Sequence, residues 1–173
     1  MKRIAWMLIA LLAFTAAPAL AAHGSKSASD LRTGYNALLA EHVFLAGAAT
    51  GAALGGRQAE FEAAAAALDA NSQDLATSIG SVYGPDAEKA FLPLWRKHIG
   101  MVVDYTVGLA TRDKMKQDKA VAELVGYTQD FGAFLAAANP NLPKEVVADL
   151  VKHHVLTLKT GIDPQAAGNQ AEA

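Results

Sequence analysis

Apolar residues recur every three or four positions along most of the chain, the spacing of helices that bury one face. The clearest series is Phe91, Trp95, His98, Val102, Tyr105 and Leu109. An earlier series contains Leu31, Tyr35, Leu38, His42, Leu45 and Ala49, and a later one Val147, Val151, His154 and Leu158. The pattern therefore predicts three helices that each have a histidine at a core-facing position.

Glycine and proline residues divide the pattern into five predicted helices. Their expected ranges are Ala28–Ala53, Arg57–Ile79, Pro85–Ala110, a fourth that begins within Arg112–Lys119 and ends near Ala138, and Pro143–Thr160. Gly161 and Pro164 are expected to end the last helix, and Pro93 predicts a kink or a broken first turn in the third. Short connections place consecutive helices antiparallel. The predicted fold is therefore an all-α, antiparallel up-and-down helical bundle of about five helices.

The three core histidines are evenly spaced along the chain, at positions 42, 98 and 154. At the same offset Leu38, Leu94 and Leu150 coincide, and Ser72-Gln73-Asp74-Leu75 aligns with Thr128-Gln129-Asp130-Phe131. These matches predict a duplicated 56-residue helical hairpin, with the histidines at one height in the bundle. By this repeat a sixth helix would begin near Glu172. Either the chain is truncated there, or a second copy in a homodimer or another protein partner covers the fifth helix.

The N-terminus has the features of an export signal. Lys2 and Arg3 precede an apolar stretch, and Pro18-Ala19-Leu20-Ala21 supplies small residues for cleavage after Ala21. The predicted organisation is a signal peptide at 1–21, a flexible segment at 22–29, the helical bundle at 30–162, and a tail or start of a truncated helix at 163–173. The mature protein is expected in the periplasm or secreted. No membrane association is expected after cleavage, because no other segment has ~18 uninterrupted apolar residues.

Charge and cysteine content exclude several partners and sites. Removal of Lys2 and Arg3 leaves 13 basic against 17 acidic residues, a net charge near −4. Nucleic acid is not an expected partner, because binding it requires a basic face. The chain has no cysteine, so disulfides and thiolate metal sites are excluded.

Three buried imidazoles have six nitrogens that need partners, and a bound cation satisfies one on each ring. Three histidines with an open position suit copper or zinc. Met101, one turn after His98, is the predicted fourth ligand, with Asp74, Asp104 and Asp130 as alternatives. The leading hypothesis is an exported, copper-leaning metal-binding protein that uses His42, His98, His154 and Met101.

Two alternatives remain open. In a structural or interaction module, the histidines form a polar layer hydrogen-bonded to Ser72, Thr128 or Tyr105. In a non-covalent haem protein, two histidines ligate the iron, and Gly47, Gly51, Gly100 and Gly108 make room for the macrocycle. The sequence lacks the nucleophile-elbow, P-loop, dinucleotide and zinc-protease motifs, so no enzymatic activity is predicted.

Several segments together resemble a family of uncharacterised exported bacterial helical proteins. They are Glu41-His42-Val43, residues 80–84, residues 90–100, Asp104-Tyr105-Thr106 and residues 139–143. Some members of that family are attached to copper amine oxidase-like domains, and its members continue with a further helix. The resemblance implies an exported helical protein and gives slight support to copper.

Overall fold

The structure, a computed structural model, describes residues 27–169 and 171–172. Within this part of the chain it contains five helices and no strand. They are α1 (Ala28–Leu54), α2 (Gln58–Tyr83), α3 (Pro85–Ala110), α4 (Lys114–Ala138) and α5 (Lys144–Ala166). The predicted all-α helical bundle is therefore confirmed. The predicted signal peptide and most of the predicted flexible segment lie outside the described residues.

Local sequence explains where the helices begin. At the start of α1, the Ser27 hydroxyl accepts a hydrogen bond from the Asp30 N–H at 3.1 Å, and the Ser27 N–H donates to the Asp30 carboxylate at 3.2 Å. This reciprocal capping box satisfies two amide groups that lack a helical partner. The Asp113 carboxylate caps α4 by accepting a hydrogen bond from the Lys116 N–H at 3.0 Å, and Pro85 occupies the first position of α3.

The ends of α1, α3 and α5 share one local structure. Their last residues are Leu54, Ala110 and Ala166, which are separated by the same interval as the three histidines. Two positions later the backbone is left-handed, with φ of 67° at Gly56, 56° at Arg112 and 77° at Gly168. The next N–H then donates to the carbonyl five residues earlier, in the pairs Arg57–Ala52, Asp113–Gly108 and Asn169–Pro164. This is the Schellman motif, and its recurrence supports the predicted duplication.

Prolines and a glycine predicted to interrupt helices lie inside them. The last helix does not end at Thr160, because α5 continues through Gly161 and Pro164 to Ala166. Contacts with α3 stabilise the additional turn: Ile162 is buried beside Tyr105, and the Tyr105 hydroxyl donates to the Asp163 carboxylate at 2.5 Å. Of the kink or broken first turn predicted at Pro93, the broken turn does not occur, because α3 is continuous across that exposed residue.

Consecutive helices make the most extensive contacts, and their connections are short, so α1, α3 and α5 run in one direction and α2 and α4 in the other. The main core lies between α2, α3, α4 and α5, and includes Leu75, Phe91, Leu124, Phe131 and Val147. In contrast, α5 makes few contacts with α1 and α3. The bundle is therefore well packed except where α1, α3 and α5 face one another.

By length and composition α1 could cross a membrane. Its most apolar 18-residue window has a mean hydropathy of 1.5, and 22% of that window is buried. The sequence prediction considered only uninterrupted apolar stretches, and Glu41 and His42 interrupt this one. A soluble protein's core helix or a signal sequence can have the same composition. In the bundle α1 packs on α2 and also contacts α3 and α5.

Candidate functional site

The three histidines of the repeat line one cleft. His42 comes from α1, His98 from α3 and His154 from α5, and the cleft between these helices has a volume of about 580 Å³. Because the three helices run in one direction and recur at one interval, equivalent positions lie at similar heights. The helical repeat thus brings together three residues that are far apart in sequence.

His42 and His98 lie side by side at the inner wall of the cleft. Their side chains are almost fully enclosed, with 4% and 6% of the residue surface exposed. The ring centroids are 5.5 Å apart, and the ring planes are inclined by 46°. The Trp95 ring packs against both, at 4.9 Å from His42 and 4.5 Å from His98, and Tyr127 lies 5.2 Å from His98. Aromatic packing therefore fixes the position of both imidazoles. The core positions predicted for His42 and His98 are confirmed.

Both buried imidazoles are neutral at physiological pH. Burial lowers the pKa of His42 from 6.5 to about 4, and the nearby His154 contributes to this decrease, whereas Asn71 has a smaller opposing effect. Burial and then His42 lower the pKa of His98 to about 3, against a smaller opposing effect of the Trp95 main chain. A neutral imidazole retains a lone pair that can bind a metal ion.

The Nδ1 atoms of His42 and His98 are enclosed by protein without a hydrogen-bond partner. Beside His42, the Asn71 amide donates to the Leu38 carbonyl at 3.0 Å and to the Glu41 carboxylate at 2.8 Å. These bonds hold the amide, and the Asn71 Oδ1 is itself buried and unpartnered. Since Asn71 acts on the pKa of His42, it is a candidate to orient this imidazole.

His154 differs from the other two histidines. It lines the cleft, but it is exposed, so the prediction that it occupies a core position is wrong. The reason is the sparse contact of α5 with α1 and α3, which leaves this side of α5 open. Enough protein nevertheless surrounds the ring for desolvation to lower its pKa. Across residues 27–169 and 171–172, no three His, Cys, Asp or Glu side chains form a group ready to hold a metal ion.

The predicted fourth ligands lie elsewhere. Met101 is buried in the main hydrophobic core and does not line the cleft. Asp74, Asp104 and Asp130 are exposed, and the last two form ion pairs with Lys116 and Lys97. Of the four glycines considered for a haem site, Gly47 lines the cleft. The other three, Gly51, Gly100 and Gly108, do not.

The hydroxyl groups expected to pair with the histidines bond to other groups. Ser72 donates to the Leu68 carbonyl, Thr128 to the Val125 carbonyl and Tyr105 to the Asp163 carboxylate. None of the three is therefore a partner of an imidazole. This distribution gives no support to the hydrogen-bonded histidine layer of the structural alternative.

A polar contact at the opposite end of the cleft was not predicted from the sequence. The Thr50 hydroxyl donates to the Gln165 side-chain oxygen at 3.1 Å, which connects α1 to the last turn of α5. Gln165 lies in the segment predicted as a tail, so no contact with α1 was expected. No local signal indicates this contact, because Thr50 and Gln165 are 115 positions apart in the chain.

Comparison of the chain with protein-family models, curated proteins and solved structures finds no match. The resemblance to exported bacterial helical proteins therefore stays a prediction.

Proposed function

We propose that the protein is an exported, copper-leaning metal-binding bundle in which His42 and His98 supply two ligands and His154 a third. The observation that carries the proposal is the pair of neutral, buried imidazoles that line one cleft. A neutral imidazole retains a lone pair that can bind a metal ion.

The spacing of the two rings fits ligands of one ion. A metal lies ~2.0 Å from an imidazole nitrogen, so the ring centroids of two ligands at a tetrahedral ion are roughly 5 Å apart. The centroids of His42 and His98 are 5.5 Å apart.

His154 can complete the site through movement of α5. This helix packs mainly on α4, and its contacts with α1 and α3 are few. His154 already lines the same cleft, and its pKa is lowered by desolvation. A third imidazole leaves one position of a four-coordinate ion open toward the cleft.

The donor set favours copper, with zinc as the second choice. Imidazoles line the cleft, and no carboxylate is found among its described lining residues. Oxygen-seeking ions such as Mg²⁺ and Ca²⁺ are therefore disfavoured, whereas imidazole suits copper and zinc, and copper(II) is bound most strongly in the divalent series. We propose binding rather than catalysis, because the described lining offers no carboxylate or lysine to act beside a metal.

The test is a metal titration of the mature protein, purified from the periplasm of an expression host and freed of metal with a chelator. Competition with a chromophoric chelator gives the stoichiometry and affinity for Cu²⁺ and Zn²⁺. We expect one ion per chain, and at least about 100-fold weaker binding in His98→Gln, which retains side-chain volume.

His153→Gln is the matched control. His153 precedes His154 but is exposed and does not line the cleft. The metal affinity of His153→Gln should therefore equal that of the wild type. Failure to bind a stoichiometric ion would overturn the proposal. Equal losses in the two variants would do so as well, since they would place the metal on surface histidines.

A further inference from the structure

We propose that the cleft also binds a neutral, elongated apolar molecule. One N–H or O–H group of this molecule would donate a hydrogen bond at His42 and His98. This site goes beyond the metal and does not depend on it, because the imidazoles can hydrogen-bond to the donor group directly.

The dimensions of the cleft exceed what an ion requires. Its volume is about 580 Å³, within the range of roughly 300 to 1,000 Å³ typical of small-molecule sites. His42 and Thr50 mark its two polar ends on α1. Eight residues at ~1.5 Å each separate these ends by about 12 Å along the helix, which sets the length of the ligand. A metal and its ligands at His42 and His98 would leave most of this length empty.

The lining specifies the chemistry of the ligand. The walls between the two ends are formed largely by Val43, Ile99, Val102, Val103, Leu158 and Ile162. No Asp, Glu, Lys or Arg belongs to the described lining, so a charged ligand would lose its hydration without gaining an ion pair. An uncharged molecule with an apolar body meets no such penalty.

The mouth of the cleft exposes apolar surface. Phe44 lines the cleft and is 77% exposed, and its neighbour Val43 is 44% exposed. Adjacent exposed apolar side chains at the mouth of an apolar cleft are typical of a binding site. An apolar ligand that fills the cleft and reaches its mouth would cover both side chains.

A helix from a second copy would meet a closed end of the cleft. The Thr50–Gln165 hydrogen bond connects α1 and α5 at one end, where an inserted helix would have to pass.

The test uses N-phenyl-1-naphthylamine, a neutral apolar fluorophore of suitable length, with the metal-free mature protein. Gly47→Leu fills the cleft, and Gly34→Leu is its control on the same helix. A Cβ added at either position meets no heavy atom within 4 Å, so both variants should fold. Gly47 lines the cleft, whereas Gly34 does not. We expect saturable fluorescence enhancement. The affinity for the fluorophore should be at least about tenfold weaker in Gly47→Leu and unchanged in Gly34→Leu.

Displacement of the fluorophore tests the prediction that the ligand is uncharged. 1-Decanol should displace it at concentrations about tenfold lower than decanoate, which has the same chain length and a negative charge. Equal binding to both glycine variants, or better displacement by decanoate, would overturn the proposal. Absence of binding would overturn it too. If copper binds and the fluorophore does not, only this proposal fails.

Discussion

At the scale of single residues, burial determines the protonation state of His42 and His98. Both pKa values lie well below 6.5 chiefly because the imidazolium form loses its hydration in the protein. In the unfolded chain the same residues bind protons near pH 6.5. Between those pKa values the unfolded state holds more protons than the folded state.

The metal-free protein should therefore lose stability as the pH falls. The sign follows from linkage: the free energy of unfolding decreases with falling pH wherever the unfolded state binds more protons. The window opens near pH 6.5 and extends to about pH 4 for His42 and about pH 3 for His98. At about 1.4 kcal/mol per pKa unit, protonation of His42 alone lowers the free energy of unfolding by ~3 kcal/mol across this window. Urea unfolding between pH 7.5 and 4.5 measures this decrease.

The double variant His42→Gln/His98→Gln isolates this contribution. It retains every carboxylate, so any acid effect of those groups persists, whereas the slope that arises from the two histidines should disappear. Parallel curves for the wild type and the double variant would show that the histidines accept protons in the folded protein, which contradicts their burial as neutral groups.

At the scale of elements, the three Schellman motifs explain how one interval organises the molecule. Each motif ends a histidine-bearing helix at the same distance beyond its histidine, at Leu54, Ala110 and Ala166. Glycine occupies the left-handed position in the first and third motifs, as this backbone conformation favours, but Arg112 occupies it in the second. Arg112 is thus the strained member of the set.

Replacement of that residue should stabilise the bundle. Arg112→Gly removes the cost of a side chain in left-handed backbone, about 1 kcal/mol. The reverse change at the equivalent position, Gly56→Arg, should destabilise by a similar amount. Both positions are exposed, so packing changes little. Urea unfolding at pH 7.5 measures both variants, and changes of the same sign would contradict the equivalence of the two helix ends.

How far the sequence predicted the elements depended on local signals. Gly84-Pro85 and Asn139-Pro140 gave boundaries near those observed, because turns act over a few residues. The end of α5 was predicted six residues too early. Gly161 and Pro164 are local stop signals, but buried Ile162 and the Tyr105–Asp163 hydrogen bond outweigh them. Such tertiary contacts are not visible in a local pattern.

At the scale of the whole molecule, the sequence predicted that three histidine-bearing helices are equivalent, but not that they leave a cleft. His42 and His98 are buried as the periodicity indicated, whereas His154 is exposed at an equivalent position. The periodicity reports which face of a helix is apolar, and it does not report whether a neighbour covers that face. The separation of α5 from α1 therefore became apparent only in the structure.

If the proposed metal site is correct, copper should draw α5 toward α1 and α3. Saturation then slows amide hydrogen exchange in α5, because any opening that releases the ion becomes about 100-fold rarer at a free copper concentration roughly 100 times the dissociation constant. Hydrogen-exchange mass spectrometry resolves this effect by helix.

His154→Ala should lose the protection of α5 and keep that of α1 and α3 around His42 and His98. His153→Ala should behave as the wild type. Protection of α5 that survives His154→Ala would show that the helix closes without its histidine, and the ion would then have only two histidine ligands.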